Sequence, residues 1–114
     1  MQVSSRHTAE PFTTKDGSEI REVAHTEAQS LAEATVPPGA RTIRHFHRTS
    51  EELYLFVEGT GRMLLDGEEH DVRPGDCVVI PPGTPHQLRN TGDGPLRLWC
   101  CCAPANSDED TVLC

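Results

Sequence analysis

Apolar and polar residues alternate with a period of two along most of this chain, the pattern of strands with one face buried. LAEATV, residues 31–36, alternates and is stopped by Pro37-Pro38-Gly39. TIRHFH, residues 42–47, and ELYLFVEG, residues 52–59, follow; the second is rich in aromatic and β-branched side chains. GRMLLDG turns at Asp66-Gly67, EEHDV ends at Pro74-Gly75, CVVI ends at Pro81-Pro82-Gly83, and HQLRNT ends at Gly92-Asp93-Gly94. PLRLWCCC, residues 95–102, is the last predicted strand. About eight short strands spaced by about 8–12 residues predict an all-β fold, a small antiparallel barrel or jelly roll.

The two ends are less regular. Residues 1 to 17 are polar and aperiodic, and SEIREVAH at 18–25 fits either a helical turn or an edge strand. We expect an N-terminal arm over 1–28, contributing an edge strand or dimer contacts, and a barrel domain over 29–114. The acidic NSDED at 106–110 reads as a solvated tail.

Composition narrows the function classes. The net charge of −8 repels phosphate backbones and anionic membrane surfaces, so neither nucleic acid nor membrane is an expected partner. No apolar run reaches the roughly 20 residues of a membrane span, and the N-terminus shows no signal-peptide core, which predicts a cytoplasmic protein. Five cysteines cannot all pair within one chain, and none has CxxC spacing, so reduced thiols are expected.

The candidate chemistry lies in the middle. His45 and His47 are two apart on a predicted strand, which puts both imidazoles on one face, as a chelating pair or as ordinary solvent-facing polar residues. Glu52 begins the next strand and shares a face with Tyr54 and Phe56, whereas its competitor Glu51 shares the other with Leu53, Leu55 and Val57. His86 follows the PPGTP turn. Three imidazoles and one carboxylate suit Fe, Mn, Co, Ni, Cu or Zn, and not Ca or Mg.

The run G39-x5-H45-x-H47-x4-E52-x6-G59, followed by G75-x5-P81-x-G83-x2-H86-x3-N90, resembles the two signature motifs of the cupin superfamily. Both motifs are intact, and the 15 residues between them resemble small single-domain bacterial cupins. The resemblance implies a β-barrel binding one divalent transition metal through His45, His47, Glu52 and His86, with iron slightly favoured. It implies a small-molecule substrate and an oxygenase. The alternatives are a Lewis-acid isomerase, cyclase or lyase, and a non-catalytic binding module. If alternation continues, Arg41, Ile43, Tyr54, Phe56, Leu88 and Met63 point into the barrel, joined by either Trp99 or its neighbours Leu98 and Cys100. Arg41 is then a candidate to pair a substrate carboxylate and Tyr54 a candidate proton donor, against the plainer readings of a surface arginine and a packed tyrosine. The outward Phe46, Leu53, Leu55 and Val57 would leave an apolar sheet face in water, so a homodimer is expected.

Overall fold

The computed structural model describes residues 1–114 as eleven strands and no helix. In chain order they are β1 (Phe12–Thr13), β2 (Glu19–His25), β3 (Ser30–Val36), β4 (His45–His47), β5 (Glu51–Glu58) and β6 (Gly61–Leu65). Then come β7 (Glu68–Val72), β8 (Cys77–Ile80), β9 (His86–Asn90), β10 (Leu96–Ala103) and β11 (Thr111–Leu113). They form two antiparallel sheets, one ordered β1-β2-β3-β10-β5-β8 and one ordered β11-β4-β9-β6-β7. The chain is therefore all-β with jelly-roll architecture. No helix is long and apolar enough to cross a membrane.

Register explains which side chains meet inside. Along β10, Leu98 lies opposite Ala34 and Phe56, Cys100 opposite Ala32 and Tyr54, and Cys102 opposite Ser30 and Glu52. These rows face the interior, where Phe56, Leu88, Leu98, Met63 and Ile80 are almost fully buried. The intervening rows face out: Leu31, Cys101, Leu53 and Val79 in one, Trp99, Leu55 and Cys77 in the next. A strand pleat thus splits the three consecutive cysteines, sending Cys100 and Cys102 inward and Cys101 outward. All five cysteines are free.

The ends of the chain are more ordered than the sequence pattern suggests. The 18–25 segment is strand β2, paired with β3, and the short strands β1 and β11 carry no alternation long enough to be read. Residues 106–110 are not a solvated tail. The Asp110 carboxylate accepts hydrogen bonds from Thr49 N (2.9 Å), Thr49 Oγ1 (2.8 Å) and Ser50 N (3.0 Å). Burial acts to raise its pKa, but these bonds outweigh burial and hold it below the usual aspartate range. The acidic turn thereby pins the loop between β4 and β5 and delivers β11 to the edge of β4.

Candidate metal centre

The site is assembled across both sheets. β4 carries His45 and His47 with both rings buried and Phe46 between them half-buried, as the period of two requires. β9 begins at His86, which sits opposite His45 in the ladder, ring centroids 4.2 Å apart. β5, in the other sheet, supplies Glu52, which is buried, while Glu51 is exposed. One donor atom from each of His45, His47, Glu52 and His86 lies within 4.8 Å of the others.

Each ring is oriented by a partner behind it. His45 Nδ1 lies 2.7 Å from Ile43 O, and His86 Nδ1 lies 2.9 Å from Thr84 O. A carbonyl only accepts, so both nitrogens carry the proton. His47 Nδ1 lies 3.1 Å from Thr111 Oγ1, whose own hydrogen goes to Ser107 O at 2.8 Å, so His47 Nδ1 donates too. The three Nε2 lone pairs are left facing inward. Glu52 Oε1 is 3.2 Å from His47 Nε2 and 3.5 Å from His86 Nε2, and its Oε2 accepts from the Cys102 thiol at 3.0 Å. His86 Nε2 is fully buried with no hydrogen-bond partner. Such an orphaned atom is rare and calls for a ligand. Three lone pairs and a carboxylate are mutually satisfied around a cation, and outer partners on every imidazole are the usual setting of metal-ligating histidines. The residues fit a divalent transition ion.

The electrostatics favour an anionic Glu52 and a neutral His45, while the metal-free site holds a proton more readily on His47. Burial acts to raise the Glu52 pKa, but the adjoining His47 and His86 rings and the Cys102 thiol bring it down to about 2, so it stays a carboxylate. Burial and the neighbouring His86 lower His45, which favours the neutral, ligating ring. Burial would lower His47 as well, but its contact with Glu52 reverses the direction. Burial pushes the Tyr54 phenol, the Cys100 thiol and the Cys102 thiol well above their ordinary values, with the Glu52 charge adding to it. All three therefore remain protonated.

A cavity opens beside the centre. Its wall includes Ile20, Ala32, Ala34, Val36, Leu88 and Leu98, with His47, Glu52, Tyr54 and Cys100 as polar points. The alanines of β3 matter because larger residues at those inward positions would fill the space. Tyr54 stands in this wall, its ring centroid 6.0 Å from that of His86. Leu98 and Cys100 point inward, whereas Trp99 is on the outer face. Two expected positions are not where alternation puts them. Arg41 and Ile43 are exposed and do not line the cavity. Between Thr42 and His45 the backbone leaves the ladder, and Ile43 N donates to Asp16 O at 2.7 Å instead. Ile43 and Arg44 consequently both face out, and the count by twos fails between buried Thr42 and buried His45. Sequence reasoning also missed Thr111, Cys102 and Asp16 as parts of the site. Thr111 and Asp16 come from distant segments with no pattern pointing to His47 or His45.

A jelly roll of two antiparallel sheets, with three histidines and a glutamate converging between them, defines a class of small metal-competent β proteins. The sequence matches the Cupin domain family over residues 32–102, and the chain belongs to that family. It is 50% identical to an uncharacterized protein of Methanocaldococcus jannaschii, over 90% of this chain and 86% of that one. Two other relatives carry enzyme names. One is a glucose-6-phosphate isomerase of Pyrococcus horikoshii, 37% identical, covering 58% of this chain and 38% of that protein. The other is a 5-nitrosalicylic acid 1,2-dioxygenase of Bradyrhizobium, 38% identical, covering 56% of this chain and 30% of that protein. This chain spans less than half the length of either. The structure of KdgF from a Halomonas species superposes with a TM-score of 0.83 at 22% identity, covering 96% of this chain and 97% of that one.

Proposed function

We propose that this chain is a metal-dependent enzyme acting on a small organic molecule held in the barrel, with oxygenase chemistry as its leading reaction. The observation that carries this reading is the inward convergence of three Nε2 lone pairs and Glu52, the His86 nitrogen otherwise orphaned, beside an apolar cavity. His45, His47, Glu52 and His86 would hold one divalent transition ion, iron favoured. Bound there, the ion would supply Lewis acidity and, as iron, one-electron redox chemistry. The chain's own residues do the rest. The aliphatic wall binds the body of the substrate and excludes water. The Tyr54 hydroxyl, kept neutral by burial, donates a hydrogen bond to a substrate oxygen. Cys102 orients the Glu52 carboxylate. Arg41, being exposed, is assigned no part in substrate binding.

The dioxygenase name of one relative supports the oxygenase reading. The isomerase name of another supports the second, Lewis-acid isomerisation or lyase chemistry at the same site. Elemental analysis of untagged protein purified without added metal, beside His47→Ala, separates them. Near-stoichiometric iron that is lost in the variant, with oxygen uptake on phenolic or enolic acids, is the expected result. Manganese, nickel or zinc without oxygen uptake favours the isomerase reading. No metal in either protein overturns both and leaves a binding module.

We further propose that the enzyme works in the cytoplasm as a homodimer. Leu31, Leu53, Leu55, Val57 and Val79 are each 37–53% exposed on the outer face of one sheet, in rows continuous across β3, β10, β5 and β8. A flat apolar face of that kind is the usual core of a two-fold interface. Sedimentation is expected to show a dimer that Leu55→Asp converts to the 12.5 kDa monomer. A wild-type monomer at micromolar concentration would sink the idea.

A further inference from the structure

The turn between β1 and β2 places Asp16 against the metal centre from outside both motifs. The Asp16 side chain is only 13% exposed. Its Oδ1 accepts from Thr14 Oγ1 (2.6 Å), Ser18 Oγ (2.6 Å) and Ser18 N (2.9 Å). With Oδ1 held three times over, Oδ2 is left free and stands 3.2 Å from His45 Nε2. The turn is fastened on both sides. Asp16 O accepts from Ile43 N, and Lys15 Nζ donates to Thr111 O (2.8 Å) and Asp108 O (3.3 Å).

The contact is chemically incomplete. His45 gives its Nδ1 proton to Ile43 O, so Nε2 presents a lone pair to a carboxylate oxygen. Two electron-rich atoms at that distance need a shared cation. Donors in adjacent positions around an ion with bonds of about 2.1 Å lie about 3.0 Å apart. Asp16 Oδ2 and His45 Nε2 have that spacing, the same 3.2 Å that separates Glu52 Oε1 from His47 Nε2. Asp16 touches the cluster of His45, His47, Glu52 and His86 through His45 alone, and the buried, unpartnered His86 Nε2 lies among those four donors.

We propose that Asp16 is a fifth protein donor to the metal, reaching the four convergent motif donors from the His45 side. The inference rests on the metal-binding reading above and sharpens it. Two carboxylates and three neutral imidazoles would balance the charge of a divalent ion. A six-coordinate ion would keep one open position instead of two.

Asp16→Asn keeps the shape and leaves an oxygen to accept from Thr14 and Ser18. We expect its Kd for Mn(II) to rise about 10- to 100-fold, and the visible absorption of its Co(II) form to change. Asp16→Glu, which keeps the charge, should recover most of the affinity. Glu22→Gln, another acidic residue on the cavity wall, should stay within about twofold of wild type, which controls for a general loss of negative charge. An Asp16→Asn protein matching wild type in both Kd and Co(II) spectrum would overturn the proposal. So would affinity lost equally in Asp16→Asn, Asp16→Glu and Glu22→Gln. His47→Ala in the same assay separates the two levels of inference. Wild-type binding abolished by His47→Ala but untouched by Asp16→Asn defeats the fifth donor alone. A wild type that binds neither ion defeats the parent reading.

Discussion

Replacing His86 with leucine is expected to weaken Mn(II) or Co(II) binding by about a hundredfold or more and to leave the metal-free protein within about 1 kcal/mol of wild-type stability. A buried side chain of this size ordinarily loses far more when substituted. His86 differs because its Nε2 is buried without a partner, a desolvated polar atom that destabilises the metal-free fold by about 1–3 kcal/mol. Leucine removes that atom and fills much of the ring's space beside His45 and Tyr54. The change also frees Thr84 O, but Thr84 is half-exposed and water can serve the carbonyl. Glu52 loses one neighbour while keeping His47 and Cys102. Competition against a chelating dye gives the affinity, and denaturant unfolding with chelator present gives the stability. A metal-free variant several kcal/mol weaker would make His86 a packing residue. Retained metal affinity would remove it from the centre.

The second large effect is on the fold itself. Gly59→Ala is expected to destabilise the protein by about 3 kcal/mol or more, and Gly39→Ala by about 1–2 kcal/mol. Both glycines have positive φ, +81° and +76°, so both substitutions carry the backbone penalty of the left-handed region. They differ in surroundings. A Cβ on Gly59 would stand 2.4 Å from Pro95 O and 3.1 Å from Leu96 Cα, whereas one on Gly39 meets nothing within 4 Å. Pro95 cannot retreat cheaply, because it leads into Leu96, which is fully buried, on a strand clamped between β3 and β5. Chemical denaturation of the two variants measures the contrast. Equal losses would show that the approach of Pro95 to Gly59 is not what holds this turn.

What the sequence made legible was whatever depends on strand period. Glu52, Tyr54 and Phe56 fall inside, and Leu53, Leu55 and Val57 outside, because β5 is a continuous ladder with different media on its two faces. The four metal-ligand candidates converge for the same reason, each starting or lying on a regular strand. Arg41 was misplaced because counting back from His45 presumes an unbroken strand, and the break at Ile43 is made by the backbone of Asp16. Asp16 and Thr111 were invisible for a related reason. Alternation tells which way a side chain points, and it carries no information about which distant loop arrives opposite it. The Asp110 turn that delivers Thr111 looked like solvated charge because its three donors lie about 60 residues earlier in the chain.

Three of the motif ligands stand on one sheet and Glu52 stands on the other. An ion held by all four is therefore a cross-link between the layers, and the layers cannot part without releasing it. Each tenfold rise in free metal above the dissociation constant then adds about 1.4 kcal/mol to the stability of the folded chain. Since proteases take the opened form, the amount of this protein that survives in a cell should follow the metal supply. Scarcity would lower the number of molecules as well as the fraction that are loaded.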